Sequence, residues 1–217
     1  MGALLLIDGL CALAVLLIWY LGFARYNRRK GAGALRLVEA ACSGRGRITD
    51  TRWLSTNQLQ AKLRFSSHWV EEAWLTVSLR PRAVPVQWLF SVWRKQQETL
   101  TFEANLDYSP GLQLQVFRHR WLTPNKITMD DNTRDWTVVQ PGPVVLTTRM
   151  QWGQEMAPIV NTLMSTPGHN LLRVRFRPEA PHMSATVALD SLSDEEAGAS
   201  FLDVVHDLAV RASTSPQ

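Results

Sequence analysis

The sequence predicts an α+β protein with one N-terminal transmembrane helix, followed by an antiparallel-sheet domain with helices packed on one face. Three observations predict this class. Residues 3–23 are apolar apart from Asp8, several later segments alternate apolar and polar residues, and the chain closes on an amphipathic helical pattern. Strands gathered in runs, with helices before and after them, are typical of α+β domains rather than of parallel α/β folds.

The apolar run at residues 3–23 is the first element. At about 1.5 Å per residue it spans the ~30 Å hydrocarbon core of a bilayer as a helix. A secretory signal would have basic residues before its apolar run, whereas here they follow it. We therefore interpret residues 1–24 as an uncleaved anchor, with a cleaved signal or a buried core helix as the alternatives.

Basic residues just after the run predict the orientation of the chain. Arg25, Arg28, Arg29 and Lys30 flank the C-terminal end of the anchor. The positive-inside rule then places the N-terminus outside and the C-terminal domain in the cytoplasm, as in a cell (inner) membrane. Residues 25–52 are predicted to form a basic juxtamembrane segment, with a flexible joint at 31–33 and a short helix after it.

The charge is concentrated next to the anchor. The net charge is +4, residues 24–52 hold eight basic and two acidic residues, and residues 53–217 come to −1. A nucleic-acid-binding domain would itself carry a basic face, so no nucleic-acid partner is expected. The excess of positive charge at residues 24–52 instead favours binding to anionic lipid headgroups. The residues expected to contact the membrane are Trp19, Tyr20, Arg25, Arg28, Arg29, Lys30, Arg45 and Arg47.

Asp8 is the single charge within the apolar run. One interpretation places it at the outer interface, where its carboxylate reaches water. The other pairs it with a group on a neighbouring helix, because carboxylates inside a membrane seldom stay unpaired. The second interpretation predicts other membrane-protein subunits as partners.

Residues 53–213 are predicted to form the soluble α+β domain. Period-two alternation predicts half-buried strands at 58–66, 73–80, 99–107 and 112–120, a short strand at 144–148, and a hairpin from 170–176 and 183–190. Helical spacing is found at 85–96 and 155–166. A capping box of Ser193 and Glu196 predicts the start of a last helix, with a buried stripe of Phe201, Val204, Val205 and Leu208. The loop-rich stretch near 122–143 could divide two lobes, although one domain is favoured, and residues 214–217 are expected to be a disordered tail.

Motifs that would name a reaction are absent from the sequence. There is no P-loop, dinucleotide fingerprint, HExxH, paired CxxC or GxSxG, so no catalytic residue, cofactor or metal site is predicted. The two cysteines, Cys11 and Cys42, give no disulfide framework, as expected in a reducing compartment. Arg173, Arg175 and Arg177 alternate along one predicted strand. They form either a partner-binding face or a solvated one.

These observations favour a non-enzymatic function. The leading hypothesis is an accessory, scaffold or assembly subunit of a membrane protein complex, anchored by a single pass and making protein–protein contacts through its cytoplasmic domain. Nine tryptophans provide candidate contact surfaces. The alternative is a membrane-tethered lipid- or small-ligand-binding domain, and a third hypothesis is an enzyme with an unrecognised site.

Overall fold

A computed structural model describes residues 2–42, 46–66, 70–107, 110, 114–118, 136–139, 144–149, 171–192 and 194–213. In chain order the elements are α1 (Gly2–Cys42), β1 (Gly46–Ser55), β2 (Gln58–Phe65), β3 (Val70–Ser78), α2 (Pro85–Trp93), β4 (Thr99–Leu106), β5 (Leu114–Arg118), β6 (Trp136–Val139), β7 (Val144–Arg149), β8 (Leu171–Phe176), β9 (Met183–Ala188), a 3-10 turn (Leu189–Ser191) and α3 (Glu195–Ser213). A long apolar N-terminal helix followed by an antiparallel sheet with helices confirms the α+β class.

The described strands form one antiparallel sheet in the order β1-β2-β3-β4-β9-β8-β5-β7-β6. The register aligns apolar residues in rows across the strands, because side chains in each strand alternate between the two faces. One such row runs Ala61, Leu75, Phe102, Ala185, Val174 and Val116. Strands β5 and β7 come from either side of the stretch near 122–143 and pair directly with each other.

Two helices cover the apolar face of this sheet. The second half of α1 buries Ala34, Leu35, Val38 and Cys42 in the core. Helix α3 buries Phe201, Val204, Val205 and Leu208, which is the stripe predicted from the sequence. The opposite face of the sheet carries polar residues such as Thr101 and Thr186, whose hydroxyls lie 3.1 Å apart.

The predicted joint at residues 31–33 is wrong, because α1 runs unbroken from Gly2 to Cys42. Gly31 is buried, and a Cβ atom there would lie 2.9 Å from the Trp53 ring. The glycine therefore permits a close approach of β1 to the helix rather than a bend. Burying the following helical face outweighs the helix-propensity cost of two glycines, about 1 kcal/mol each.

Strand β1 was not expected, since residues 25–52 read as a juxtamembrane segment. It lies at the edge of the sheet and pairs with β2, so the sheet begins at Gly46 rather than after residue 53. Register shifts after Ile48 and Trp53, together with its charged residues, disrupt the alternation that marks the inner strands. Charges and bulges of this kind protect an edge from pairing with other chains.

The remaining elements confirm or correct the predictions one by one. The helix at 85–96 is α2, and the hairpin is β8–β9. Helix α3 is capped by Asp194, whose Oδ1 accepts a hydrogen bond from the Ala197 N–H at 2.8 Å. Ser193, the helix predicted at 155–166, most of 122–143 and the tail at 214–217 lie outside the described residues.

Candidate membrane-proximal site

The first half of α1 exposes apolar side chains in every direction. It is the one helix in the described part of the chain that is long and apolar enough to cross a membrane. A helix of a soluble domain buries one apolar stripe against the core. Most of the surface of this segment is instead exposed. The exposed large side chains are Leu4, Leu6, Ile7, Leu10, Leu13, Val15, Leu16, Leu17, Ile18, Tyr20 and Leu21.

Asp8 lies on this exposed apolar surface. Cys11, one turn further along α1, is exposed as well. Both side chains are therefore accessible from outside the folded domain.

Trp19 is the first residue of α1 that contacts the domain. Its indole Nε1 donates to the carbonyl of Arg82 at 3.0 Å. Its ring lies 5.9 Å from the ring of Trp88 in α2 and 4.7 Å from that of Phe23. The predicted membrane-contact pair is thus divided, because Trp19 is half-buried against α2 while Tyr20 is exposed.

Asn27 joins α1 to two loops of the domain and is completely buried. Its Nδ2 donates to the carbonyls of Thr56 at 3.2 Å and Arg80 at 3.1 Å. Its Oδ1 accepts a hydrogen bond from Arg82 Nη1 at 3.4 Å. The side chain of Asn27 therefore links α1 to both loops through hydrogen bonds to their backbone carbonyls.

Glu98 lies beneath this contact, with a side chain only 4% exposed. Its carboxylate forms ion pairs with Lys30 and Arg82 and accepts a hydrogen bond from the Arg80 backbone N–H at 3.2 Å. Burial raises the pKa of the Glu98 carboxyl. The hydrogen bonds from Lys30 and Arg80 and the charges of Arg82 and Lys30 outweigh burial, so the net pKa is lowered.

We call Asn27, Lys30, Arg82 and Glu98 the junction cluster. The Arg82 guanidinium also lies 5.1 Å from the centre of the Tyr26 ring. Both carboxylate oxygens of Glu98 have cationic partners, so the cluster joins α1 to the domain through ion pairs. Sequence reasoning missed Asn27, Arg82 and Glu98, because no motif links residues as far apart as Lys30 and Glu98, which are separated by 68 positions.

The predicted headgroup-binding residues separate into three groups. Arg25, Arg28 and Arg29 are exposed on α1, just past the apolar run. Lys30 is turned toward the domain, where it pairs with Glu98 and lies 3.9 Å from Asp190. Arg47 is exposed on β1, and Arg45 lies outside the described residues.

Helix α2 was predicted as a helix but not as a functional surface. Its exposed apolar side chains are Val86, Leu89, Phe90, Val92 and Trp93. Their spacing was visible in the sequence, but periodicity alone does not tell an outward apolar face from an inward one. The contact with Trp19 distinguishes them, because it directs Trp88 inward.

Two of the three predicted arginines, Arg173 and Arg175, lie in β8, on the face of the sheet opposite the helices. With its amide oriented toward Arg175, Gln115 accepts hydrogen bonds from Nε at 2.9 Å and from Nη2 at 3.1 Å. Burial and the charge of Arg177 lower the pKa of Arg173. Arg177 follows the end of β8 and its Nε is buried without a partner among the described residues.

A groove lies between α1, the 3-10 turn and α3. It has a volume of about 270 Å³ and is lined mainly by apolar and small residues, with Lys30 and Asp190 among them. Small-molecule sites usually occupy ~300–1,000 Å³ and enclose most of their ligand. Among the described residues, no group of three or more His, Cys, Asp or Glu side chains could hold a metal ion.

The assignment of these surfaces rests on their own geometry and chemistry. No family model matches this chain, and no curated protein matches its sequence.

Proposed function

We propose that this chain is a non-enzymatic accessory or scaffold subunit of a membrane protein complex, held by a single N-terminal pass with its α+β domain in the cytoplasm. The observation that carries the proposal is α1, a single helix whose first half is exposed and apolar and whose second half belongs to the domain core. Such a helix joins a membrane span rigidly to a folded domain.

Retention of the apolar run is supported by the contacts of Trp19. Cleavage after the run would remove this side chain from Arg82 and Trp88, both of which the domain supplies. A secretory signal does not depend on contacts with the mature domain, whereas an anchor that positions the domain does.

The proposed orientation depends on the arginines past the run. Arg25, Arg28 and Arg29 are exposed and available to anionic headgroups. By the positive-inside rule, basic residues at this end of the span favour a cytoplasmic position for it, which supports the proposed orientation.

A structural rather than catalytic role is supported by the junction cluster. Glu98 is the buried acid of the described residues, and its oxygens are occupied by Lys30, Arg80 and Arg82. A general acid or base would need a free face toward a substrate. The cluster instead stabilises the connection between span and domain.

The proposed partners are other membrane subunits that contact the exposed surface of α1. Asp8 provides the specific element, because a carboxylate among apolar side chains gains most from a cationic or hydrogen-bonding group on a neighbouring helix. The alternative of a tethered lipid- or small-ligand-binding domain is favoured only by the groove between α1 and α3.

Membrane fractionation of the full chain tests the anchor. We expect the protein to stay in the membrane through an alkaline carbonate wash, and a tag at Gln217 to resist protease added outside intact cells. Recovery in the soluble fraction without detergent contradicts the anchor, and digestion of the tag in intact cells contradicts the orientation.

Purification in mild detergent tests the partners. We expect other membrane subunits to copurify, and Asp8→Asn to reduce their yield while Asp50→Asn, an exposed acid on β1, does not. A monomer that carries a bound lipid or metabolite would contradict the subunit proposal and support the ligand-binding alternative.

A further inference from the structure

Helix α2 exposes its apolar face, whereas an ordinary surface helix buries it. Val86, Leu89, Phe90 and Trp93, spaced i, i+3, i+4 and i+7, form one outward face and are 78, 66, 48 and 76% exposed. The inward side holds Ser91, which is buried and whose hydroxyl donates to the Trp88 carbonyl at 2.7 Å. A surface helix of a soluble domain places its apolar stripe on the core, so the outward face of α2 is built for apolar surroundings.

The position of α2 identifies those surroundings. Trp88 lies edge-on to Trp19, and Arg82, just before α2, holds the Trp19 indole through its carbonyl. Trp19 belongs to the apolar run of α1, four residues before the run ends at Phe23. Helix α2, with its exposed apolar face, therefore lies beside the apolar run of α1, near the end where the run meets its basic residues.

Charge just past α2 and just past the apolar run of α1 agrees with a lipid surface. Arg94 and Lys95 follow α2 and are exposed, as are the arginines that follow the run in α1. The Arg94 guanidinium lies 4.2 Å from the centre of the Phe90 ring. Aromatic side chains with adjacent cations are characteristic of the level where acyl chains meet anionic headgroups.

We propose that α2 is a second membrane contact, whose face of Val86, Leu89, Phe90 and Trp93 inserts into the headgroup–acyl boundary of the leaflet where the apolar run of α1 ends. The inference rests on the proposed anchoring by α1. It adds that the domain touches the bilayer at two adjacent places, so its orientation on the membrane is determined by α2 as well as by α1.

Nitroxide accessibility in the full chain tests this contact. Single labels are placed at Val86→Cys and Leu89→Cys in a Cys11→Ser background, in vesicles of phosphatidylcholine and phosphatidylglycerol. Cys42 can remain, because its side chain is buried in the core. Burial, together with the charge of Glu39, also raises the pKa of its thiol, which lowers its reactivity toward the label. Leu13→Cys serves as the span control. Arg36→Cys serves as the water control, since it lies about 26 Å along α1 beyond Trp19.

We expect labels at 86 and 89 to lose accessibility to an aqueous nickel chelate relative to position 36, and to gain accessibility to oxygen, which concentrates in lipid. Labels at 86 and 89 as open to nickel as position 36, with position 13 in lipid, overturn the role of α2 and leave the anchor intact. Position 13 open to nickel contradicts the anchor itself. Labels at 86 and 89 shielded from both reagents show a protein partner on this face and overturn the lipid contact.

A matched pair of substitutions within α2 provides a second readout. With the label at position 86, Leu89→Glu is expected to restore accessibility to nickel, because it places a charge in the inserted face. Gln87→Glu, on an exposed residue outside that face, is expected to leave the label in lipid. Equal behaviour of the two variants contradicts insertion of this particular face.

Discussion

At the scale of single residues, Glu98 accounts for how the span and the domain are held together. A buried carboxylate costs several kcal/mol in desolvation, which only close partners offset. Here the partners come from separate parts of the chain: Lys30 from α1, and Arg80 and Arg82 from the segment before α2. The desolvation cost of the buried charge is thus fully offset only when α1 and that segment are both in place.

Substitution of Glu98→Gln is expected to lower the free energy of unfolding by about 2–3 kcal/mol. This is below the 3–5 kcal/mol typical of a fully buried pair, because Lys30 keeps partial contact with water. Thermal or denaturant unfolding in detergent measures the loss. The control is Glu72→Gln, which breaks an exposed 2.7 Å pair with Lys62 and is expected to cost less than about 1 kcal/mol. Equal losses would show that the junction cluster adds nothing beyond a surface pair.

Acid is expected to remove the same contribution. The pKa of folded Glu98 lies below its ordinary value of 4.5, so its ion pairs stabilise the protein above that pH. Their contribution disappears as the pH falls through the lower, folded-state pKa. Unfolding is measured between neutral pH and pH 3 for the native chain and for Glu98→Gln. The difference between their free energies of unfolding should be constant above about pH 6 and should narrow below about pH 4.5. A gap that widens with acid would mean that the carboxyl is protonated in the native state.

At the scale of elements, α1 carries two glycines with opposite roles. Gly31 faces β1 and β2, where the Trp53 ring of β1 and a Leu59 methyl of β2 would lie 2.9 and 3.2 Å from an added Cβ atom. Gly33, half a turn away, has nothing within 4 Å of the same position. One glycine is required by packing, and the other only weakens the helix.

Alanine at these two positions is expected to change stability in opposite directions. Gly33→Ala should raise the free energy of unfolding by up to about 1 kcal/mol through helix propensity. Gly31→Ala gains the same propensity but forces Trp53 away, for a net loss of about 1–3 kcal/mol. Unfolding midpoints in detergent compare the two directly, and a stabilising Gly31→Ala would contradict the tight contact with β1.

Sequence periodicity predicted the elements that bury one face and expose the other. Strands such as β2 and β4 kept their alternation because each lies inside the sheet. Strand β1 did not, because it lies at the edge of the sheet, where charges and bulges prevent pairing with other chains. The glycines at 31 and 33 read as a joint, since composition does not reveal a ring packed against a missing Cβ atom. The junction cluster could not be predicted, because its members meet only after the chain has folded.

At the scale of the whole molecule, span and domain should behave as one body. We expect the distance distribution between labels at Leu13→Cys and Thr51→Cys, measured by double electron–electron resonance in nanodiscs, to be narrow. Asn27→Ala combined with Glu98→Gln should broaden it, because the hydrogen bonds of Asn27 and the ion pairs of Glu98 between α1 and the domain are then lost or weakened. An unchanged width would mean that the core contacts of α1 are sufficient for the coupling.

The unbroken course of α1 has a mechanical consequence. From Trp19 to Cys42 the helix extends about 34 Å, so a tilt of ~10° in the span would displace its far end by roughly 6 Å. Spans tilt to match the thickness of the surrounding bilayer. In the proposed arrangement, a thinner or thicker membrane would therefore change the tilt of the sheet relative to the bilayer. The orientation of its polar face toward any binding partner would then depend on the bilayer thickness.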